Sequence, residues 1–235
     1  MTDRPVALVT GASKGIGLEL IRHFLTVGYV VEGCSRGSSG FSSDDYHHTQ
    51  VDISEEQQVT SWVRSVKTRR QRIDVLVCNA AYAPASQLLA MTSAGLWNRV
   101  MRTNLDGTFF ACREVAKVMT LQRRGRIVTV SSMAAALHLE GTGAYAASKS
   151  AIVEMTKVLA RELAGVGVTC NVVSVSMVAT DAVAALGETV IARALDKLTM
   201  KRALPAEEVC NVVEFFCSPR SCSVTGQVIQ LGLVT

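Results

Sequence analysis

The chain has 235 residues, 49% of them hydrophobic and 19% charged, a balance that excludes a disordered polypeptide and supports one large buried core. Its net charge of +4 sits mainly in two short runs, residues 67–72 and 122–126, which lack interleaved aromatics and do not make a nucleic-acid-binding domain. No apolar run reaches the roughly 20 residues that span a bilayer, and the opening "MTDRPVALVTG" is unlike a secretory or transit signal, so the sequence predicts a cytoplasmic protein without membrane contact.

In chain order, the apolar run 6–10 reads as a strand, followed by a glycine-rich turn and a helix over 15–26. A strand at 30–34, a Ser/Gly-rich loop at 36–45, a weaker strand at 48–51 and a helix at 55–68 come next. Strands at 75–78, 127–130, 168–173 and 228–231 then alternate with helices at 96–121, 144–163 and 206–216. Short continuous apolar strands suit a parallel sheet covered on both faces. The alternation predicts an α/β fold, a single-domain Rossmann-type doubly wound parallel sheet over residues 1–235. Cys34, Cys78, Cys112, Cys170, Cys210, Cys217 and Cys222 are scattered and odd in number, and read as reduced packing residues. CxxC and HExxH spacings are absent, and adjacent His47 and His48 would face opposite sides of a strand, so no metal site is expected.

Two motifs carry chemistry. "TGASKGIG", residues 10–17, follows the first strand and opens the first helix. Gly11, Gly15 and Gly17 permit a tight turn and close approach of backbone to a pyrophosphate, with Ser13, Lys14 and Ile16 completing the turn. In "GAYAASKSA", residues 143–151, Tyr145 and Lys149 lie one helical turn apart among small neighbours that would let a large ligand approach.

On these motifs the sequence resembles the short-chain dehydrogenase/reductase family along essentially the whole chain. "CNAA" supplies Asn79, Ala80 and Ala81, with Ala81 where the family commonly has glycine. "RTNLDG" supplies Asn104, and "IVTVSS" supplies Ser132, 13 residues before Tyr145. The resemblance implies that Tyr145 donates the proton in carbonyl reduction. It also implies that Ser132 orients the substrate oxygen, that Lys149 holds the nicotinamide ribose, and that Asn104 anchors a water leading to solvent. A free phenol has a pKa of about 10, too high for efficient shuttling near neutrality. An ammonium at about 4 Å, at an effective dielectric near 20, would favour the phenolate by about 4 kcal/mol, so Lys149 is expected to bring Tyr145 down.

The family's use of NAD requires an acidic residue at the end of the second strand. Glu32 comes too early; Ser35 takes that place, Arg36 follows, and Lys14 adds a second cation, which together favour NADPH/NADP+. Asp52 and Ile53 are expected at the adenine. Val178 and Thr180 are expected at the carboxamide, where Val175 and Ser176 replace the usual Pro-Gly and reshape the nicotinamide wall.

The short lid over 180–202 and the overall layout are most similar to 3-oxoacyl-(acyl carrier protein) reductases of fatty acid biosynthesis, with Arg123, Arg124 and Arg126 as an expected docking patch for an acidic carrier. A free small-molecule ketone or alcohol stays open as the alternative substrate, and a cofactor-binding regulator without turnover is a third reading. The apolar faces of helices 96–121 and 144–163 predict a homotetramer, with a second contact from helix 206–216 and the C-terminal strand.

Overall fold

The apolar runs assemble into one parallel sheet of seven strands in the order β3-β2-β1-β4-β5-β6-β7. The strands are β1 (Val6–Thr10), β2 (Val30–Ser35), β3 (Tyr46–Gln50), β4 (Val75–Cys78), β5 (Gly125–Ser132), β6 (Val168–Val175) and β7 (Val228–Gln230). This is a computed structural model, and it describes residues 4–184 and 187–234. Side chains alternate across β1: Val6 and Leu8 enter a core with Trp62, Val115 and Met119, whereas Ala7 and Val9 enter one with Phe24, Val213 and Phe216. Helices α1 (Gly15–Thr26) and α9 (Ala206–Cys217) cover the second face; α2 (Glu56–Arg70) and α4 (Gly107–Gln122) cover the first. Strand order reverses between β1 and β4, so a crevice opens above the carboxyl ends of these strands.

The single helix expected over 96–121 is three pieces: α3 (Ala94–Met101), a π-helical turn (Arg102–Asp106) and α4. The Thr108 hydroxyl donates to Asn104 O at 2.6 Å, and Gly107 admits Ile53, whose Cδ1 would lie 2.8 Å from an added Cβ. The weak strand starts at Tyr46, two residues earlier than expected, and 36–45 is a loop as expected, pinned by the Phe41 ring 5.6 Å from that of Tyr46. Helices α5 (Ala134–Leu137) and α6 (Gly143–Leu163) follow β5, and α7 (Asp181–Ala184) and α8 (Glu188–Asp196) form the lid. Residues 185–186 of that lid lie outside the described residues. Met177, Leu198 and Leu233 pack with Met133, Leu137 and Ile191 beneath it.

Cations of the two basic runs are drawn into ion pairs with the sheet. Arg69 and Arg70 at the end of α2 converge on Glu32, a fully buried carboxylate on β2, at 2.9 and 2.7 Å. Arg72 pairs with Asp74 at 2.7 Å, and Arg124 reaches the same carboxylate at 3.7 Å. Residues 122–126 lead into the amino end of β5, whereas Ser132 ends that strand about 23 Å away at the usual strand rise. The expected docking patch thus lies at the amino ends of the strands, opposite its own chain's site at their carboxyl ends. No helix among the described residues is long and apolar enough to cross a membrane.

Candidate dinucleotide and catalytic site

The turn after β1 is shaped by its glycines. Gly11 and Gly15 have φ of +72° and +55°, the left-handed region, and a Cβ on Gly11 would stand 2.8 Å from Ala80 Cα. A Cβ on Gly17 would fall 2.1 Å from Gly11 O, so Gly17 lets α1 pack against its own turn and does not line the cleft. Asn79 Nδ2 donates to Thr10 O at 3.1 Å and to Gly11 O at 3.3 Å, stapling the end of β4 to the turn. No side chain caps the start of α1, which leaves its first N–H groups and positive dipole end facing the crevice.

That crevice is a cleft of about 430 Å³. Of the residues singled out from sequence, Gly11, Ser13, Lys14, Gly15, Ile16, Ser35, Arg36, Asp52, Ile53, Asn79, Ala80, Ala81, Tyr145, Lys149 and Thr180 line it. Val178 does not: it is buried at 3% exposure and bridges to Leu204 in the core. Asp52 Oδ1 accepts from Ser54 N and Ser54 Oγ at 3.0 and 2.7 Å, so this carboxylate also shapes the entry to α2. Val175, expected to reshape the nicotinamide wall, lines the cleft, and Gly37, Val51, Thr103, Val130 and Ser131 line it unforeseen. Each is a sequence neighbour of a foreseen residue or ends a strand at the crevice, which is the signal that would have found them.

The small residues of α6 bring Tyr145 and Lys149 to the cleft wall. Burial pushes the Tyr145 phenol above its usual pKa, and a hydrogen bond with Ser132 opposes that shift. Lys149 is 2% exposed, and burial lowers its ammonium from 10.5 to about 8. Its Nζ donates to Val130 O at 2.7 Å and stands 5.8 Å from the centroid of the Tyr145 ring. The expected tuning therefore takes another form: Ser132 is the group that favours the phenolate, while desolvation primes the lysine itself. Ser132 Oγ also accepts from Ala134 N at 3.2 Å, which fixes the hydroxyl at the end of β5.

Asn104 is fully buried in the π-helical turn. Its Oδ1 accepts from Tyr82 N at 2.7 Å, and its Nδ2 donates to Tyr82 O at 3.1 Å and to Ser148 Oγ at 3.0 Å. Ser148 Oγ in turn donates to Tyr145 O at 2.7 Å. The side chain thus clamps the loop after β4 to the helix carrying Tyr145, and both its amide protons are used.

A glycine turn at the switch point of a parallel sheet, with a tyrosine, a serine and a buried lysine meeting beside it, defines a dinucleotide-dependent oxidoreductase. The family model described as Enoyl-(Acyl carrier protein) reductase matches residues 11–231. The 3-oxoacyl-(acyl-carrier-protein) reductase FabG of Escherichia coli (strain K12) is 30% identical over 233 residues, covering 97% of this chain and 95% of that protein. The chain belongs to the short-chain dehydrogenase/reductase family. Among solved structures, ElxO with NADP bound superposes with a TM-score of 0.91 at 27% identity, over 97% of this chain and 96% of its own. A variant of actinorhodin polyketide ketoreductase with NADPH superposes with a TM-score of 0.90 at 30% identity and the same coverage.

Proposed function

We propose that the protein uses NADPH to reduce the ketone of a 3-oxoacyl thioester, carried on acyl carrier protein, to the 3-hydroxyacyl product. The observation that carries this reading is that Tyr145, hydrogen-bonded to Ser132, and Lys149 stand at the wall of a cleft whose other end holds Ser35, Arg36 and Lys14. The cleft suits a dinucleotide, because a side chain at Gly11, which lines it, would fill the cradle against Ala80. Gly11, Ser13, Gly15 and Ile16 would hold the pyrophosphate; Arg36 and Lys14, both exposed, would meet a 2′-phosphate. When bound, NADPH supplies the hydride for the carbonyl carbon.

The chain's own groups manage the oxygen. Burial holds Tyr145 as the protonated phenol, a ready donor to a developing alkoxide, and Ser132 Oγ supplies a second hydrogen bond that fixes the oxygen between them. Lys149, with a pKa of about 8, gives up and regains a proton near neutrality and can restore the phenol. Since both amide protons of Asn104 are committed, a water path to solvent would use its main-chain carbonyl, which already accepts from Thr108.

We also place the protein in the cytoplasm as a homotetramer. A docking role for Arg123 and Arg124 requires assembly to bring their end of the strands beside another copy's cleft, so a free thioester or small ketone is the second reading, favoured by the patch's distance from its own site. Tyr145→Phe tests the chemistry: it should bind NADPH with unchanged affinity and lose at least about 100-fold in kcat, the range of one general acid. A variant keeping a tenth of wild-type turnover would overturn the proton-donor role. The double reversal Arg123→Glu with Arg124→Glu tests the carrier: it should slow reduction of the carrier-bound substrate and spare the coenzyme A thioester of the same acid. No loss on either substrate would shift the reading to a free ketone, and equal losses on both would mean that the arginines support the fold.

A further inference from the structure

We infer that His48 is the positioning residue that sets cofactor choice, by holding the turn of Ser35, Arg36 and Gly37 in the shape that receives a ribose 2′-phosphate. This rests on the NADPH reading above. Ser35, Arg36 and Gly37 line the cleft at the end of β2, where the chain enters a loop and has no helix to fix it. The fixing comes from the neighbouring strand. His48 Nε2 lies 2.9 Å from Gly37 O and 3.2 Å from Ser35 Oγ, and His48 Nδ1 lies 2.9 Å from the Tyr46 hydroxyl.

The direction of these bonds follows from the groups. A carbonyl only accepts, so Nε2 carries the proton that goes to Gly37 O, and Nδ1 of the neutral ring accepts from Tyr46. Tyr46 is buried, and burial raises its pKa, so it remains a donor. Its ring fits beneath β2 because position 33 is glycine: a Cβ there would stand 2.6 Å from the Tyr46 oxygen. Phe41 packs on the same ring, and the Arg22 guanidinium lies 5.6 Å from the Phe41 centroid, closing the loop over the chain of bonds.

The consequence concerns one proton. Ser35 Oγ also donates to Gly37 O, at 2.9 Å. Because His48 already serves that carbonyl, Ser35 can turn its proton to a phosphate oxygen without leaving Gly37 O unpaired. Arg36, held between them, brings the charge.

The test compares adenosine 2′,5′-bisphosphate with adenosine 5′-monophosphate, two ligands that differ only in the 2′-phosphate, by titration calorimetry on the full chain. His48→Gln keeps an amide donor near the Nε2 position; His48→Asn puts its donor near Nδ1 and cannot reach Gly37. The Asn variant should lose about tenfold in affinity for the bisphosphate, the order of one net hydrogen bond, with the monophosphate unchanged. The Gln variant should stay within about twofold of wild type for both. In steady state the Asn variant's loss should fall on KM for NADPH and not on kcat. Equal losses on both ligands, or no loss in the Asn variant, would overturn the role of His48. Wild-type protein that binds both ligands equally would instead overturn the NADPH reading itself.

Discussion

At the residue scale, the buried lysine has a thermodynamic signature independent of any substrate. Its folded pKa of about 8 lies below the 10.5 of an ordinary lysine, so between these values the unfolded chain binds more protons than the folded one. Stability contributed at this position therefore rises with pH through that window, and the cost of the buried charge is fully present below pH 8. Buried thiols such as Cys34 and Cys217 and the Tyr145 phenol shift upward and act oppositely at higher pH, but they are common to wild type and a lysine variant. Comparing the two isolates the lysine. Urea denaturation of wild type and Lys149→Met should show their difference in unfolding free energy moving toward wild type by about 2.5 kcal/mol from pH 7 to pH 10. A difference independent of pH would contradict the lowered pKa. The dyad was legible in sequence because helical spacing puts residues one turn apart on one face, whatever the rest of the fold does. Its electrostatics were not, since desolvation of Lys149 depends on β5 and its bond to Val130. The burial of the Val178 side chain was hidden for a similar reason: it packs in one core with Leu204, to which its backbone bridges.

At the element scale, α2 is tied to the sheet by charges at its own C-terminal end. The partners of Glu32 lie 37 and 38 residues away, beyond any local pattern. Glu32 is wholly buried while Arg69 and Arg70 are partly exposed, so the two halves of the cluster are not equivalent. Removing both arginines leaves the buried carboxylate with only His47 Nδ1, 3.4 Å away, a loss in the range of about 3–5 kcal/mol. Removing the carboxylate lets two guanidinium groups turn outward and should cost distinctly less. Arg69→Met with Arg70→Met should thus destabilise the protein more than Glu32→Gln, as read from urea midpoints at constant slope. The reverse order would mean the cluster is held by packing of the arginine stems. The same distance problem hid the π-helical turn within 96–121. The apolar period reads straight through it, and the Gly107 contact that marks it needs Ile53 from another element.

At the scale of the whole molecule, most of the architecture was legible because strand runs, turns and helices alternate with little interruption, and that alternation admits few topologies. What remains is an apolar strip on the outer faces of two helices. A groove of about 780 Å³ between α4 and α6 is lined by Phe109, Leu121, Met155 and Val158, and Leu121 is 87% exposed. Soluble proteins rarely leave such a contiguous apolar strip in water, and the same strip on a second copy is self-complementary across a two-fold axis. Phe215 on α9 and Val234 near the C-terminus, both exposed, supply material for a separate contact. Leu121→Glu with Val158→Glu should therefore convert the proposed tetramer to dimers held by the second contact, as measured by light scattering at micromolar concentration. Activity should fall with it: α6 carries Met155 and Val158 in its later turns and Tyr145 and Lys149 in its first, so loss of cover on one end loosens the frame of the other. Added glutamates are far from the cleft lining and touch neither proton donor nor lysine, so a fall in kcat that tracks the mass change links assembly to catalysis. Wild-type protein that is a stable, fully active monomer would contradict the assembly. A dissociated variant with undiminished kcat would show that α6 holds its catalytic residues in place without a neighbour.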